Sequence, residues 1–205
     1  MEPSLLPQDS LPVASGAFAR FGVRWTALEI GDRHYQTLWV KMKRLHIIGR
    51  KNHGKTTLVV ELLQEFAARG LRVGSIKHTH HDHQLDVPGK DSHRHQQAGA
   101  AVVGVLSRSM SALFIPTQLG SAAPDRYEVL APAYQHCDLV LVEGDVETSS
   151  PKIEVWRAAQ GSEPIASEVQ GVMAVVTDDE CPTELPTLPR SDVAAVADWI
   201  LNHFA

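Results

Sequence analysis

The segment Gly49-Arg50-Lys51-Asn52-His53-Gly54-Lys55-Thr56 constrains this chain more than any other, because of where it sits. It follows a short apolar run, Leu45 to Ile48. It opens a stretch in which Leu58, Val59, Leu62, Leu63 and Phe66 recur at helical spacing before Gly70 closes it. A glycine-rich turn between strand and helix exposes successive backbone N–H groups that no side chain obstructs, and the helix adds about half a positive charge at its N-terminus. That is a phosphate-binding loop. By the chemistry of the motif, Lys55 bridges the β and γ phosphates, Thr56 ligates Mg²⁺ through its hydroxyl, and Thr57 lies near the α phosphate.

The rest of the chain agrees with such a loop. After the helix over Lys55 to Arg69, Val73 to Lys77 reads as a strand, His78 to Asp91 as a polar loop punctuated by Pro88-Gly89, and Ser92 to Ala98 as a short helix. Ala101 to Leu106 and Ala112 to Ile115 read as strands, residues 125–136 as helical, and Leu139 to Val142 as a β-rich run ending at Glu143-Gly144. Lys152 to Trp156 and Val172 to Val176 add strands, and Asp192 to Phe204 closes the chain as a helix with Asp192 near its N-cap. Regular alternation of this kind predicts an α/β fold: a three-layer P-loop NTPase domain over residues 42–205, its mostly parallel sheet flanked by helices.

Residues 1–41 differ in style, with scattered Pro, Ser and Gly and no sustained period. Met42-Lys43-Arg44 stands immediately before the first core strand, as P-loop domains commonly begin, so the first 41 residues read as an extension, poorly ordered or artefactual. At 205 residues, one sizeable domain is the expectation. A net charge of -5 without a long basic run gives no electrostatic footprint for nucleic acid or an anionic membrane. Two cysteines do not make a disulfide framework, and no segment approaches the roughly 18 apolar residues of a membrane span. The expectation is a cytoplasmic protein that binds small molecules and proteins.

Phosphoryl chemistry also calls for a carboxylate near Mg²⁺, usually at the end of a neighbouring buried strand. Leu139-Val140-Leu141-Val142 delivers Glu143 to the carboxyl edge of the sheet, where ligands bind in open α/β folds, making it the candidate for positioning metal or water. The loop after the second strand holds six of the eleven histidines within residues 78–95. Imidazoles at that density suit a transition metal, but a stable site needs them fixed by further hydrogen bonds, and a solvated polar loop is the plainer reading. Asp86 and Asp91 are the better candidates there, since this loop can reach Mg²⁺ and phosphates. Lys77, Lys90 and Arg94 suit an anionic ligand.

Ile76-Lys77-His78, Asp86-Val87-Pro88-Gly89-Lys90-Asp91-Ser92, Gln97-Ala98-Gly99-Ala100, Val142-Glu143-Gly144 and Pro151-Lys152-Ile153-Glu154 follow the phosphate loop in that order. The arrangement resembles the molybdopterin-guanine dinucleotide biosynthesis adapter family, MobB, from about Lys43 to at least Trp156. The resemblance implies a homodimeric GTP-binding protein with weak GTPase activity. Such a protein assists the guanylyltransferase that attaches GMP to molybdopterin in molybdenum cofactor biosynthesis. Carried over by motif, Gly49, Asn52, His53, Gly54, Lys55, Thr56 and Thr57 bind phosphates and Mg²⁺. Glu143 and Asp86 act around the metal, and Lys77, Lys90, Asp91 and Ser92 shape the pocket.

Two departures stand out. The family often continues after Glu-Gly with an aromatic residue and a lysine, whereas Asp145-Val146 follow here. A plain Asn-Lys-x-Asp guanine signature is also missing; Asp178 of Thr177-Asp178-Asp179 either faces the guanine N1 and N2 donors or is a solvated strand-end acid. Two rival functions remain at this stage. A small-molecule kinase would use Asp86 or Asp91 as base, and a metal-delivery GTPase would use His80, His81 and His83.

Overall fold

The computed structural model describes residues 42–79, 84–116 and 126–204. The expected N-terminal extension and His80, His81 and His83 lie outside the described residues. Six strands form one sheet: β1 (Arg44–Ile48), β2 (Val73–Lys77), β5 (Leu139–Glu143), β6 (Lys152–Val155), β7 (Val172–Val176) and β8 (Thr187–Leu188), in the order β2-β5-β1-β6-β7-β8. Every pairing among them is parallel. The remaining strands, β3 (Val103–Leu106) and β4 (Ser111–Phe114), make a separate antiparallel hairpin. Only residues 107–110 connect them, too few for the crossover that parallel strands require, and the turn is fixed by Ser107 N–H donating to Met110 O at 2.8 Å.

The long helices lie on one face of the sheet. Helix α1 (Lys55–Ala68) buries Leu58, Val59, Leu62 and Phe66, and α4 (Val193–Phe204) buries Val196, Ala197 and Ile200. Both pack on alternate strand residues, Leu45 and Ile47, Leu139 and Leu141, Ile153 and Val155, Ala174 and Val176. Fully burying side chains such as Leu62 and Phe66 stabilises the fold by about 1.5–3 kcal/mol each. Helix α1 ends as expected: Gly70 has φ 78° and Leu71 N–H reaches back to Phe66 O at 3.0 Å. The Asp192 carboxylate caps α4 through Ala195 N–H at 2.9 Å.

The opposite face is covered more thinly. The helical reading of residues 125–136 resolves into α3 (Arg126–Leu130) and a 3-10 turn (Ala131–Tyr134), because Pro132 carries no N–H to continue an α-helix. Loops do the rest of the covering, and their buried backbone groups need partners. Lys152 spends all three ammonium protons on the carbonyls of Thr148, Ser150 (3.3 Å) and Gln170 (2.8 Å). Glu154 accepts from Ile165 N–H at 3.0 Å and Ala166 N–H at 2.8 Å. Both side chains are buried, and burial pushes the Glu154 carboxyl up and the Lys152 ammonium down from their ordinary values.

His46 is the third buried polar residue of this face. Its Nδ1 lies 3.2 Å from Gly144 O, so that nitrogen carries the proton, while Nε2 has no hydrogen-bond partner among the described residues. The ring meets Tyr127 edge-on at 5.5 Å. Burial lowers the His46 pKa to about 4 against the attraction of Asp145, with Arg44 and Lys152 adding to the downward shift. A folded pKa below the unfolded one means that the neutral ring stabilises the fold. That stability is complete above pH 6.5 and falls away between pH 6.5 and 4, by up to about 3 kcal/mol. His46→Phe keeps a ring against Tyr127 and is expected to flatten the pH dependence of the urea midpoint across that window; an unchanged slope would refute the assignment.

Candidate functional site

Strand β1 lies between β5 and β6, so the loop leaving its carboxyl end emerges where the chain passes to opposite sides of the sheet. That loop, Gly49 to Gly54, takes left-handed backbone at Gly49 (φ 135°), Asn52 (φ 68°) and Gly54 (φ 98°). Gly54 caps α1 without a side-chain hydrogen bond, and the first turn of α1 contains no acidic residue. The N-terminal N–H groups of the helix are thus left to an anion. Lys55 Nζ donates to Arg50 O at 2.8 Å, folding the lysine back over the loop. Burial lowers the Lys55 pKa, Glu143 opposes the shift and Lys77 reinforces it.

Three of the expected residues converge at the mouth of the loop. The Thr56 hydroxyl donates to Glu143 Oε1 at 2.7 Å, and Lys77 Nζ lies 3.1 Å from the same oxygen. Sheet register brings them together, since Lys77 and Glu143 are partners at the ends of β2 and β5, and Ile47 pairs with Glu143 from β1. Glu143 is largely sheltered and Lys77 largely exposed, with side-chain exposures of 14% and 66%. Two hard oxygens side by side suit Mg²⁺, and Lys77 is exposed enough to yield its place to a divalent ion. Asn52 and Thr57 are exposed on the loop and on the first turn of α1.

The side chain of His53 is otherwise engaged. It is buried, with Nδ1 accepting from Arg157 N–H at 3.0 Å and Nε2 3.1 Å from Ser162 Oγ. His53 therefore pins the loop to the chain leaving β6, and burial with Lys55, Arg50 and Arg157 nearby lowers its pKa.

The Asp-x-Pro-Gly-Lys-Asp-Ser block forms a unit of its own. Val87 O accepts from Lys90 N–H at 3.2 Å, with Pro88 and Gly89 (φ 80°) between them, the residue types a type II turn requires. Asp86 Oδ1 accepts from Val87 N–H at 2.7 Å and Ser92 Oγ at 3.0 Å, leaving Oδ2 without a partner among the described residues. Asp86 faces a cavity of about 820 Å³ that includes Phe114, Leu130 and Tyr134 and no residue of the phosphate loop. Lys90 is exposed, and Asp91, also exposed, lies 3.8 Å from Arg94 in helix α2 (Asp91–Gln97). The hydrogen bonds of Asp86 and Ser92 thus stay within this loop, apart from the Thr56–Glu143–Lys77 group.

After β7, Asp178 Oδ1 accepts from Ser191 N–H and Ser191 Oγ, both at 2.9 Å, which holds its carboxyl below the ordinary value. Asp179 accepts from Ala158 N–H at 2.8 Å. Asp145, which departs from the aromatic residue often found there in the family it resembles, accepts from Tyr127 OH at 2.6 Å and has φ 64°.

Residues 44–178 match the family model "Molybdopterin guanine dinucleotide synthesis protein B". The chain belongs to the MobB family. It is 36% identical over 150 residues to the molybdopterin-guanine dinucleotide biosynthesis adapter protein of Escherichia coli (strain K12), a match covering 73% of this chain and 86% of that one. The adapter protein of Haemophilus influenzae is 34% identical over 165 residues, covering 78% and 90%. The crystal structure of Bacillus subtilis MobB aligns with a TM-score of 0.61 at 24% identity, over 80% of this chain and 99% of that one, which bears on the fold alone. Family membership favours neither the kinase nor the metal-delivery reading. Among the described residues no three His, Cys, Asp or Glu side chains group to hold a metal ion.

Sequence reasoning passed over Lys152 and Glu154 as working residues and missed Arg157 altogether. The first two carried a signal: charges alternating with Ile153 and Val155 inside a buried strand. The backbone of Arg157 bonds His53, and its guanidinium lies over Gly54.

Proposed function

We propose that this chain is a GTP-binding adapter that assists guanylyl transfer to molybdopterin, working as a homodimer with the guanylyltransferase of molybdenum cofactor biosynthesis. The observation that carries the nucleotide half of the reading is the meeting of Thr56, Lys77 and Glu143 beside an α1 N-terminus free of acidic residues. The family supports the adapter half. With nucleotide bound, Lys55 would turn from Arg50 O to the β and γ phosphates, and Thr56 and Glu143 would hold Mg²⁺. Mg²⁺ supplies charge neutralisation at the phosphates. Asp178, whose carboxylate is held by Ser191, is the residue this reading assigns to the guanine N1 and N2 donors. Asp86 and Ser92 stabilise the neighbouring loop, with Lys90 and Asp91 on its exposed side.

Reconstitution from guanylyltransferase, molybdopterin and GTP, with and without this protein, tests the proposal. A several-fold rise in dinucleotide cofactor yield is expected, and an equal yield in both arms would count against the adapter role while leaving nucleotide binding to be measured separately.

A further inference from the structure

Arg157 follows the last residues of β6, where Trp156 is buried and its Nε1–H donates to Ser162 O at 2.8 Å. The backbone on either side is tied down: Arg157 N–H donates to His53 Nδ1 and Ala158 N–H to the Asp179 carboxylate. From this fixed base the guanidinium reaches back over the phosphate loop. A β-carbon built on Gly54 would lie 3.0 Å from one terminal guanidinium nitrogen and 3.2 Å from Cζ. Gly54 is favoured by its φ of 98°, and its missing side chain leaves the space in which the guanidinium lies.

Arg157 makes no side-chain hydrogen bond or ion pair among the described residues, although it is only partly exposed. Arg50 and Lys55 flank the same loop, and all three lower the pKa of His53 in their midst. Five donors on an unengaged cation, aimed at the N-terminus of a 14-residue helix with no acidic first turn, match the geometry of a phosphate group. We propose that Arg157 is a phosphate-binding residue, donated in cis from the end of β6 to the polyphosphate held by Gly54 and Lys55. The inference rests on the nucleotide-binding reading above and adds a contact outside the loop motif. His53 is its positioning residue, locking loop and arginine into one unit through Arg157 N–H.

Calorimetric titration of the full chain with GTP and with inorganic tripolyphosphate tests this in wild type, Arg157→Gln and Arg157→Lys. For Arg157→Gln both ligands are expected to weaken at least tenfold and by the same factor, with a shallower salt dependence. Arg157→Lys keeps the charge without the fork and is expected to recover part of the loss. Equal melting temperatures of the ligand-free proteins exclude a folding defect, and should Arg157→Gln melt early, the lysine variant carries the comparison. Unchanged affinities overturn the proposal, as does a loss for GTP that spares tripolyphosphate. Absence of binding in the wild type would instead overturn the nucleotide-binding reading itself.

Discussion

Lys55→Ala is expected to weaken GTP binding by two orders of magnitude or more while leaving the protein folded. The ammonium is a charge-assisted donor in a partly desolvated loop, where burial and Lys77 work against its charge and Glu143 supports it. Losing charged hydrogen bonds to two phosphates removes about 3 kcal/mol, or more than a hundredfold in affinity. Without ligand, the side chain makes one hydrogen bond, to Arg50 O, and contributes nothing to either hydrophobic face of the sheet. The variant should therefore melt within about 1 kcal/mol of the wild type. Calorimetry with GTP on a folded variant checks this, and retained affinity would remove the phosphate-site assignment together with everything built on it.

The parts of the fold that were legible in the sequence were those whose signal is local. Helix α1 is written in Leu58, Leu62 and Phe66 and in Gly70, and its observed span, Lys55–Ala68, differs from the reading by one residue. Strand β5 is an unbroken apolar run, and its end at Glu143 follows from burial on both faces. Strand β8 escaped notice because two residues between Pro186 and Pro189 carry no periodicity. The antiparallel pairing of β3 and β4 has a local signal too, in a four-residue connection too short for a parallel crossover.

Site legibility divides along the same line. Thr56 and Glu143 announce themselves by motif and by strand end, and the parallel register of β2 and β5 explains why Lys77 joins them. The role of the His53 side chain depends on Ser162 and on the backbone of Arg157, more than a hundred residues away, and nothing local encodes it. Asp86 is the opposite case: its partners, Val87 and Ser92, are its own neighbours, and only the cavity it borders is shaped by distant segments.

Gly49→Ala is expected to be the most damaging single-atom change to the fold. Gly49 leaves β1 with φ 135°, a conformation that side-chain-bearing residues rarely adopt. A β-carbon there would lie 2.4 Å from Val155 O, a backbone atom of the neighbouring strand β6 that cannot swing aside. Relief demands either a flip of the loop's first peptide or separation of β1 from β6 at the centre of the sheet, and a cost of about 3–5 kcal/mol follows. That is a large share of the roughly 5–15 kcal/mol that holds a domain together. Gly70→Ala supplies the comparison: it also has a positive φ, 78°, but nothing lies within 4 Å, so a cost of only about 1 kcal/mol is expected. Urea midpoints for the two variants separate steric conflict from backbone preference, and a Gly49→Ala protein as stable as Gly70→Ala would contradict the account. The first glycine of the phosphate motif is therefore demanded by the strand beside it, before any nucleotide arrives.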